Sequence, residues 1–368
     1  MSRLGRDLLV TAVFAILLAF LPGILRDAFG QASVSYLSLA TNAIVLATLA
    51  LSWDVLARTG QLSLAHAAFT GAGAYTTAVL LKLADVPLWL GIPLGGVVAA
   101  VLAFGLGSVT LRLFGIYFAI ATLAFTEVLK SAVQQLPTAV AGGAAGINVQ
   151  TLFRPTFVPG DMERWEVAFL RNQSYFWVYA GLLVVAVVIS VIVQRSRLRS
   201  AFTAIRTNEQ VAGVMGVNPA SMKLLAFVLS SFVAGLLGAV EAHRLGSVSP
   251  DGAFSVHTTV LALVTPIFGG LYTTVGPILG AVVLASLEET LKRTFSEGYL
   301  IGYGIVLVAS ILFMPRGLVG LLSRIGRKAP RRDRLSQGPS GTITPGAPEP
   351  GDGARMAERA PPEAEGRP

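Results

Sequence analysis

Imidazole titrates near neutral pH and is the commonest metal ligand, so His66, His243 and His257 are the first candidates for chemistry. They are too scattered in sequence to specify a metal set. The chain has no cysteine, which removes thiolate nucleophiles and thiolate metal sites. The patterns HExxH, GxSxG and GxxxxGK followed by Ser or Thr are all absent, so no hydrolytic centre of those kinds and no ATP phosphate loop is expected. The chain is expected to bind no cofactor or metal of its own and not to be an enzyme.

What remains are polar groups set in apolar surroundings. His66 lies in the run Leu62 to Phe69, where a histidine either donates to a neighbouring helix or sits near a conducting or gating path. The surrounding stretch Gly60 to Thr77 is rich in small residues, among them Gly71, Gly73 and Thr76. Such a stretch either lets another helix approach closely or, as a broken or re-entrant segment, lines a path. His66, Gly71, Gly73 and Thr76 are therefore the path or gate candidates. Glu127 with Lys130 and Glu241 with Arg244 are spaced i and i+3, which permits local ion pairs.

The elements that hold these groups follow from composition. Of 368 residues, 54% are hydrophobic and only 13% charged, about half the charge of a soluble domain, so the implied solvent is a bilayer. Uncharged stretches long enough to cross its core are Leu8 to Leu25, Ala28 to Trp53, Thr59 to Leu81, Val86 to Leu111 and Asn172 to Gln194. Leu113 to Thr126 is extended through Glu127 and Lys130, whose long side chains can snorkel. Leu224 to Val240 follows, then Gly252 to Leu287, which is too long for one crossing and is divided at Phe268 to Leu271. Gly298 to Pro315 closes the set. The fold expected is all-α, a polytopic transmembrane helical bundle of about ten spans occupying residues 1–328.

Charge sets the orientation. The net charge is +8, and the tail from Ala329 to Pro368 contributes none of it, because six arginines there meet six acidic residues. That tail, with eight prolines and six glycines, is expected to be disordered or variable. Arg195, Arg197, Arg199 and Arg206 follow the sixth span, and a second basic cluster starts at Arg316. Basic residues are retained inside, so both termini and the 195–223 connection are expected in the cytoplasm and residues 135–171 outside. There is no zinc spacing and no aromatic and basic interleaving, so anionic lipid rather than nucleic acid accounts for the excess charge.

Within the inner connection, Arg199 to Gly216 reads as one short amphipathic helix. Ser200 can cap it, Gly216 and Pro219 end it, and Phe202, Ile205, Ala212 and Met215 fall near one face. Either a docking element for a cytoplasmic protein or a helix lying on the membrane fits this composition.

These passages resemble the membrane permease subunits of branched-chain amino acid ABC transporters, the longer of their two permease types. The resemblance covers about residues 36–322. It rests on Gly60 to Phe69, Leu113 to Leu123, Ala204 to Glu209, Ser249-Pro250-Asp251, Gly269-Gly270 through Gly276-Pro277, and Phe313 to Leu318. Gln61 and Thr70 depart from that pattern, as do Val264-Thr265-Pro266 and the long tail. The resemblance implies an ABC-importer permease fold in the bacterial cytoplasmic (inner) membrane. Its implied partners are a homologous permease, two cytoplasmic ATP-binding subunits that use the ATP, and a periplasmic or extracellular substrate-binding protein. It also implies that the 201–216 helix docks on an ATP-binding subunit, with Phe202, Ile205, Arg206, Glu209, Met215 and Gly216 as its residues and Arg206 and Glu209 as polar contacts. Branched-chain amino acids are the default cargo, with urea, short amides and aromatic acids as neighbours. An ion-coupled secondary transporter is the competing reading, and it requires a mid-membrane coupling-ion site.

Overall fold

A computed structural model describes residues 3–113, 115–153, 163–295, 298–313 and 317–326. Fifteen α-helices follow in order: α1 (Arg3–Phe29), α2 (Ser33–Ala57), α3 (His66–Ala84), α4 (Leu88–Thr110), α5 (Ile116–Gln135), α6 (Thr138–Ala141), α7 (Arg164–Arg195), α8 (Arg197–Thr207), α9 (Glu209–Val214), α10 (Pro219–Leu245), α11 (Pro250–Ala253), α12 (Val256–Gly269), α13 (Val275–Thr294), α14 (Tyr299–Phe313) and α15 (Gly317–Gly326). One two-residue antiparallel ladder, β1 (Ile147–Asn148) with β2 (Ser247–Val248), ties the α5–α7 connection to the end of α10. Expectations placed on Phe114, on the 154–162 part of the 135–171 connection, on Met314 to Arg316, and on the 329–368 tail lie outside the described residues.

Each of the ten expected segments corresponds to a helix. By length and apolarity alone, six runs among the described residues can cross a membrane: Thr11–Ala57, Leu88–Thr110, Ile116–Gln135, Arg164–Arg195, Pro219–Leu245 and Pro250–Gly269. The difference has local causes. α1 and α2 run almost continuously, joined by a single 3-10 turn at Gly30–Ala32, α13 carries Glu288, Glu289, Lys292 and Arg293 in its second half, and α14 has only 15 residues. The expected third span is not one helix, because residues 61–65 are non-helical before α3 begins at His66. α7 starts at Arg164, earlier than its uncharged stretch, on a capping box in which Glu163 and Glu166 reciprocally satisfy backbone N–H groups.

α10 is the packing centre, and small residues explain why. A Cβ on Gly73 of α3 would fall 2.0 Å from the carbonyl oxygen of Gly235 on α10. One on Gly235 would meet the Gly95 oxygen of α4 at 2.8 Å, and one on Gly95 would meet the Gly73 oxygen at 2.9 Å. The three helices therefore touch backbone to backbone around a closed ring of glycines, the close approach that small residues permit where lipid gives no hydrophobic incentive to associate. Below this ring Phe69, Phe118 and Phe227 stack edge to face, with centroids 5.3 and 5.8 Å apart around Phe227. On the other side of α10, the core of α2, α7, α12 and α13 includes Trp53, Phe176, Tyr179 and Leu284, each buried.

Two opposite ends result. One carries α8, α9 and the α12–α13 turn. The other carries α6, the β-ladder and α11.

Candidate functional site

At the α8 end the single expected helix is two. α8 begins at Arg197, capped by the Ser196 hydroxyl, which accepts from the Leu198 N–H at 3.3 Å, so Ser196 and not Ser200 is the cap. It stops at Asn208, whose extended backbone (φ −158°) breaks the run and whose side chain caps α9 by accepting from the Val211 N–H at 3.1 Å. Gly216 (φ +85°) closes α9 in a left-handed cap, with the Val217 N–H reaching the Ala212 carbonyl at 3.0 Å. The apolar face inferred from spacing divides accordingly. Phe202 and Ile205 are buried against the bundle, whereas Met215 is 79% exposed and Val214 is 89% exposed. A groove between the two helices is lined by Arg199, Thr203, Thr207, Val211 and Met215, among others.

Arg206 and Glu209 turn inward. The Arg206 guanidinium lies 3.8 Å over the Tyr272 ring, in the α12–α13 turn. Glu209 accepts from the ammonium of buried Lys223 at 2.5 Å. Tyr272 has φ +64°, a strained conformation for a residue with a Cβ. Its N–H donates to Asp54 Oδ1 at 2.7 Å, and Asp54 Oδ2 receives Nε and Nη2 of Arg58 at 2.9 and 2.7 Å. Arg58 in turn donates to the backbone carbonyl and hydroxyl of Ser190 on α7 at 3.2 and 2.8 Å. Both members of this ion pair are buried. A continuous polar chain therefore runs from α8 through the α12–α13 turn to α2 and α7. Of this chain the sequence reading named only Arg206; the i,i+4 spacing of Asp54 and Arg58 at the end of an apolar run is the signal that could have found the buried pair.

The non-helical 61–65 segment enters the bundle, where every backbone polar group needs a partner. Neighbouring hydroxyls provide them. The Leu64 N–H donates to Thr122 Oγ1 at 2.9 Å, the Ala67 N–H to Thr259 Oγ1 at 3.3 Å, and Trp53 Nε1 donates to the Ser63 carbonyl at 2.9 Å. Replacing Thr122 by valine keeps the shape and strands the Leu64 N–H, at an expected cost of about 1–3 kcal/mol. A lower thermal midpoint in detergent would register it. Thr76→Val, whose hydroxyl bonds only Ala72 of its own helix, is expected to leave the midpoint nearly unchanged.

His66 starts α3 fully buried, with Nε2 3.0 Å from the Ser230 hydroxyl. That hydroxyl gives its one proton to the Ser52 carbonyl at 2.6 Å, so Nε2 is the donor to it. Gly71 faces the Phe254 ring, which a Cβ would meet at 2.5 Å, and Gly73 faces α10.

Toward the α11 end, α2, α3, α10, α12 and α13 enclose an open cavity of about 570 Å³. None of His66, Gly71, Gly73 and Thr76 lines it; from α3 it takes Thr70 and Ala74. Its apolar wall includes Leu46, Leu49, Leu237 and Leu261, and its charged lining is Glu241, Arg244, Glu288, Glu289 and Lys292. Glu241 and Arg244 form the ion pair their spacing permits, at 2.6 Å, with the Tyr179 hydroxyl also donating to Glu241 and Arg244 reaching Asn42 at 3.3 Å. The corresponding local pair at Glu127 and Lys130 does not form. Lys130 instead bridges to Asp251 of α11 at 2.8 Å, because α5 turns that side chain toward the α11 end.

Comparison with known proteins places this architecture. Residues 35–311 match the family model described as branched-chain amino acid transport system / permease component. The high-affinity branched-chain amino acid transport system permease protein LivM of Salmonella typhimurium is 33% identical over 297 residues, covering 76% of this chain and 69% of that protein. LivM of Escherichia coli is 31% identical over 299 residues with the same coverage. The permease protein LivH of Salmonella typhimurium is 21% identical over 180 residues, 48% of this chain and 57% of that protein. No solved structure matches the chain.

Proposed function

The chain belongs to the family of branched-chain amino acid transport permease components, and on that premise we propose that it is one membrane subunit of an ATP-driven importer of branched-chain amino acids or a related small polar solute. It works beside a homologous permease, with two cytoplasmic ATP-binding subunits below and a substrate-binding protein outside. Both termini and the α8 end face the cytoplasm in the bacterial inner membrane, and the cavity at the α11 end faces outward. Residues 1–328 form the permease and the remainder a variable extension. ATP is bound by the partners and not by this chain.

The observation that carries the ATP-driven reading is the α8–α9 groove. Val211 and Met215 line it and are 56% and 79% exposed, and Val214 beside them is 89% exposed, on a short helix capped at its start by Asn208. Exposed apolar residues rimmed by polar ones mark an interaction site. Docking there gives a partner mechanical access to the bundle, because α8 presses Phe202 and Ile205 into the core and Arg206 onto the α12–α13 turn. A displacement of α8 therefore moves the polar chain ending at Arg58 and Ser190, and such bistable contacts are how local movements become global ones. Arg206 and Glu209 hold the helix in place, and the groove makes the contact.

The test is co-purification. Val214→Glu together with Met215→Glu is expected to leave the membrane-inserted permease intact and to reduce recovery of the ATP-binding subunit at least about tenfold, since charges buried in an apolar contact stay unpaired. Unchanged recovery, or uptake driven by an ion gradient without ATP, would overturn the reading.

A further inference from the structure

The cavity at the α11 end has walls of two kinds. Its apolar side includes Leu46 and Leu49 of α2 and Leu261 of α12. Its charged side is divided between two helices, with Arg244 and Glu241 on α10 and Glu288 on α13.

The guanidinium geometry is informative. Glu241 occupies the side-on edge of Arg244, taking Nε at 3.0 Å and Nη2 at 2.6 Å, and Asn42 takes one Nη1 proton. Among the described residues no geometric hydrogen bond engages the second N–H of either terminal nitrogen, beside which the Tyr179 ring lies, so the guanidinium keeps donors for a carboxylate. The Tyr179 hydroxyl and Asn42 hold the pair from behind, so little side-chain freedom is lost when a ligand arrives. On α13, the Glu288 carboxylate is 16% exposed and is bridged to Lys292, whose own side chain is 43% exposed. It can accept a second ammonium.

Summed, the lining has three carboxylates, one guanidinium and one ammonium. Glu289 is offset by Arg293 at 2.8 Å, so the charges balance; a monoanion leaves Glu288 without a second cation, and a plain amine leaves Arg244 without a second anion. A zwitterion satisfies both walls, and its aliphatic side chain has the leucine wall to enter.

We infer that this cavity is a low-affinity binding site for an aliphatic α-amino acid zwitterion, with Arg244, positioned by Glu241, taking the α-carboxylate and Glu288 the α-ammonium. The inference rests on the import reading and specifies where in this chain the solute is checked after release from the binding protein.

Because the chain has no cysteine, a single reporter can be placed cleanly. Ala285 lines the cavity. In the assembled transporter carrying Ala285→Cys, L-leucine is expected to slow maleimide labelling, while leucinol (no carboxylate) and 4-methylpentanoate (no ammonium) are not. Arg244→Gln and Glu288→Gln are each expected to raise the half-protecting leucine concentration about tenfold or more, with Arg244→Lys falling between. A Thr207→Cys reporter at the α8 end is expected to be insensitive to all three solutes, and unaltered elution on size exclusion identifies variants that fold. Leucine failing to protect in an assembly that takes up leucine on ATP would overturn the site and spare the import reading, as would equal protection by the two analogues. Absence of ATP-driven uptake of any amino acid in the unaltered assembly would remove the import reading and the site with it.

Discussion

Gly73→Val is expected to prevent the chain from folding stably, while Gly105→Ala, elsewhere in the bundle, is expected to be silent. A side chain at position 73 begins 2.0 Å from the Gly235 carbonyl oxygen, inside any allowed contact. α10 cannot retreat to make room. A Cβ on its own Gly235 would already meet Ala99 at 2.5 Å and the Gly95 oxygen at 2.8 Å, and Gly95 is in turn held against Gly73. The ring of three glycines therefore transmits the insult around α3, α4 and α10. Overpacking a well-packed core costs about 1–3 kcal/mol where neighbours can shift, and here the neighbours are backbone, so the expected loss lies above that range. The Gly105 position is open, with nothing within 4 Å of an added Cβ. Yield of monodisperse protein in detergent and its thermal midpoint measure both. A Gly73→Val variant melting within a degree or two of the unaltered protein would show that the ring is not tight.

Asp54→Ala has the second large expected effect. It leaves the Arg58 guanidinium buried without its carboxylate and the Tyr272 N–H, held in a left-handed turn, without its acceptor. Breaking one member of a buried ion pair costs about 3–5 kcal/mol. Asp54→Leu combined with Arg58→Met removes both charges and is expected to recover the ion-pair part of that loss, while the Tyr272 N–H still lacks its acceptor. A double-mutant cycle on denaturation midpoints resolves the two terms. The recovered double variant then isolates the functional part. It is expected to bind the ATP-binding subunit normally yet transport poorly, since the link from Arg206 over Tyr272 to α2 and α7 is gone. Full transport by that variant would confine the pair to a structural role.

Much of the architecture was legible before any coordinates. Long uncharged runs bounded by arginines specify helices in lipid, since only hydrogen-bond-satisfied backbone survives there, and the turn expected at Phe268 to Leu271 falls between α12 and α13. The Glu241–Arg244 pair was legible from spacing, because residues three apart on a helix are neighbours whatever surrounds them. So was the helical character of the 199–216 connection, whose Ala204 to Glu209 passage also carries the family resemblance.

Tertiary structure alone decided which groups act together. Glu241 and Glu288 line one cavity from helices separated by long stretches of chain, and Lys130 prefers Asp251 to its own neighbour Glu127. Asn208 splits the expected docking helix, so Phe202 and Met215, which share a face on paper, point to the core and to solvent. Arg206 and Glu209, polar and apparently outward on a helical wheel, are held by Tyr272 and Lys223. The physical reason is common to all of these. Sequence period reports which residues share one side of a helix, but lipid tails and packed side chains are equally apolar, so the period does not say which side meets protein, lipid or a cavity until neighbouring helices are in place.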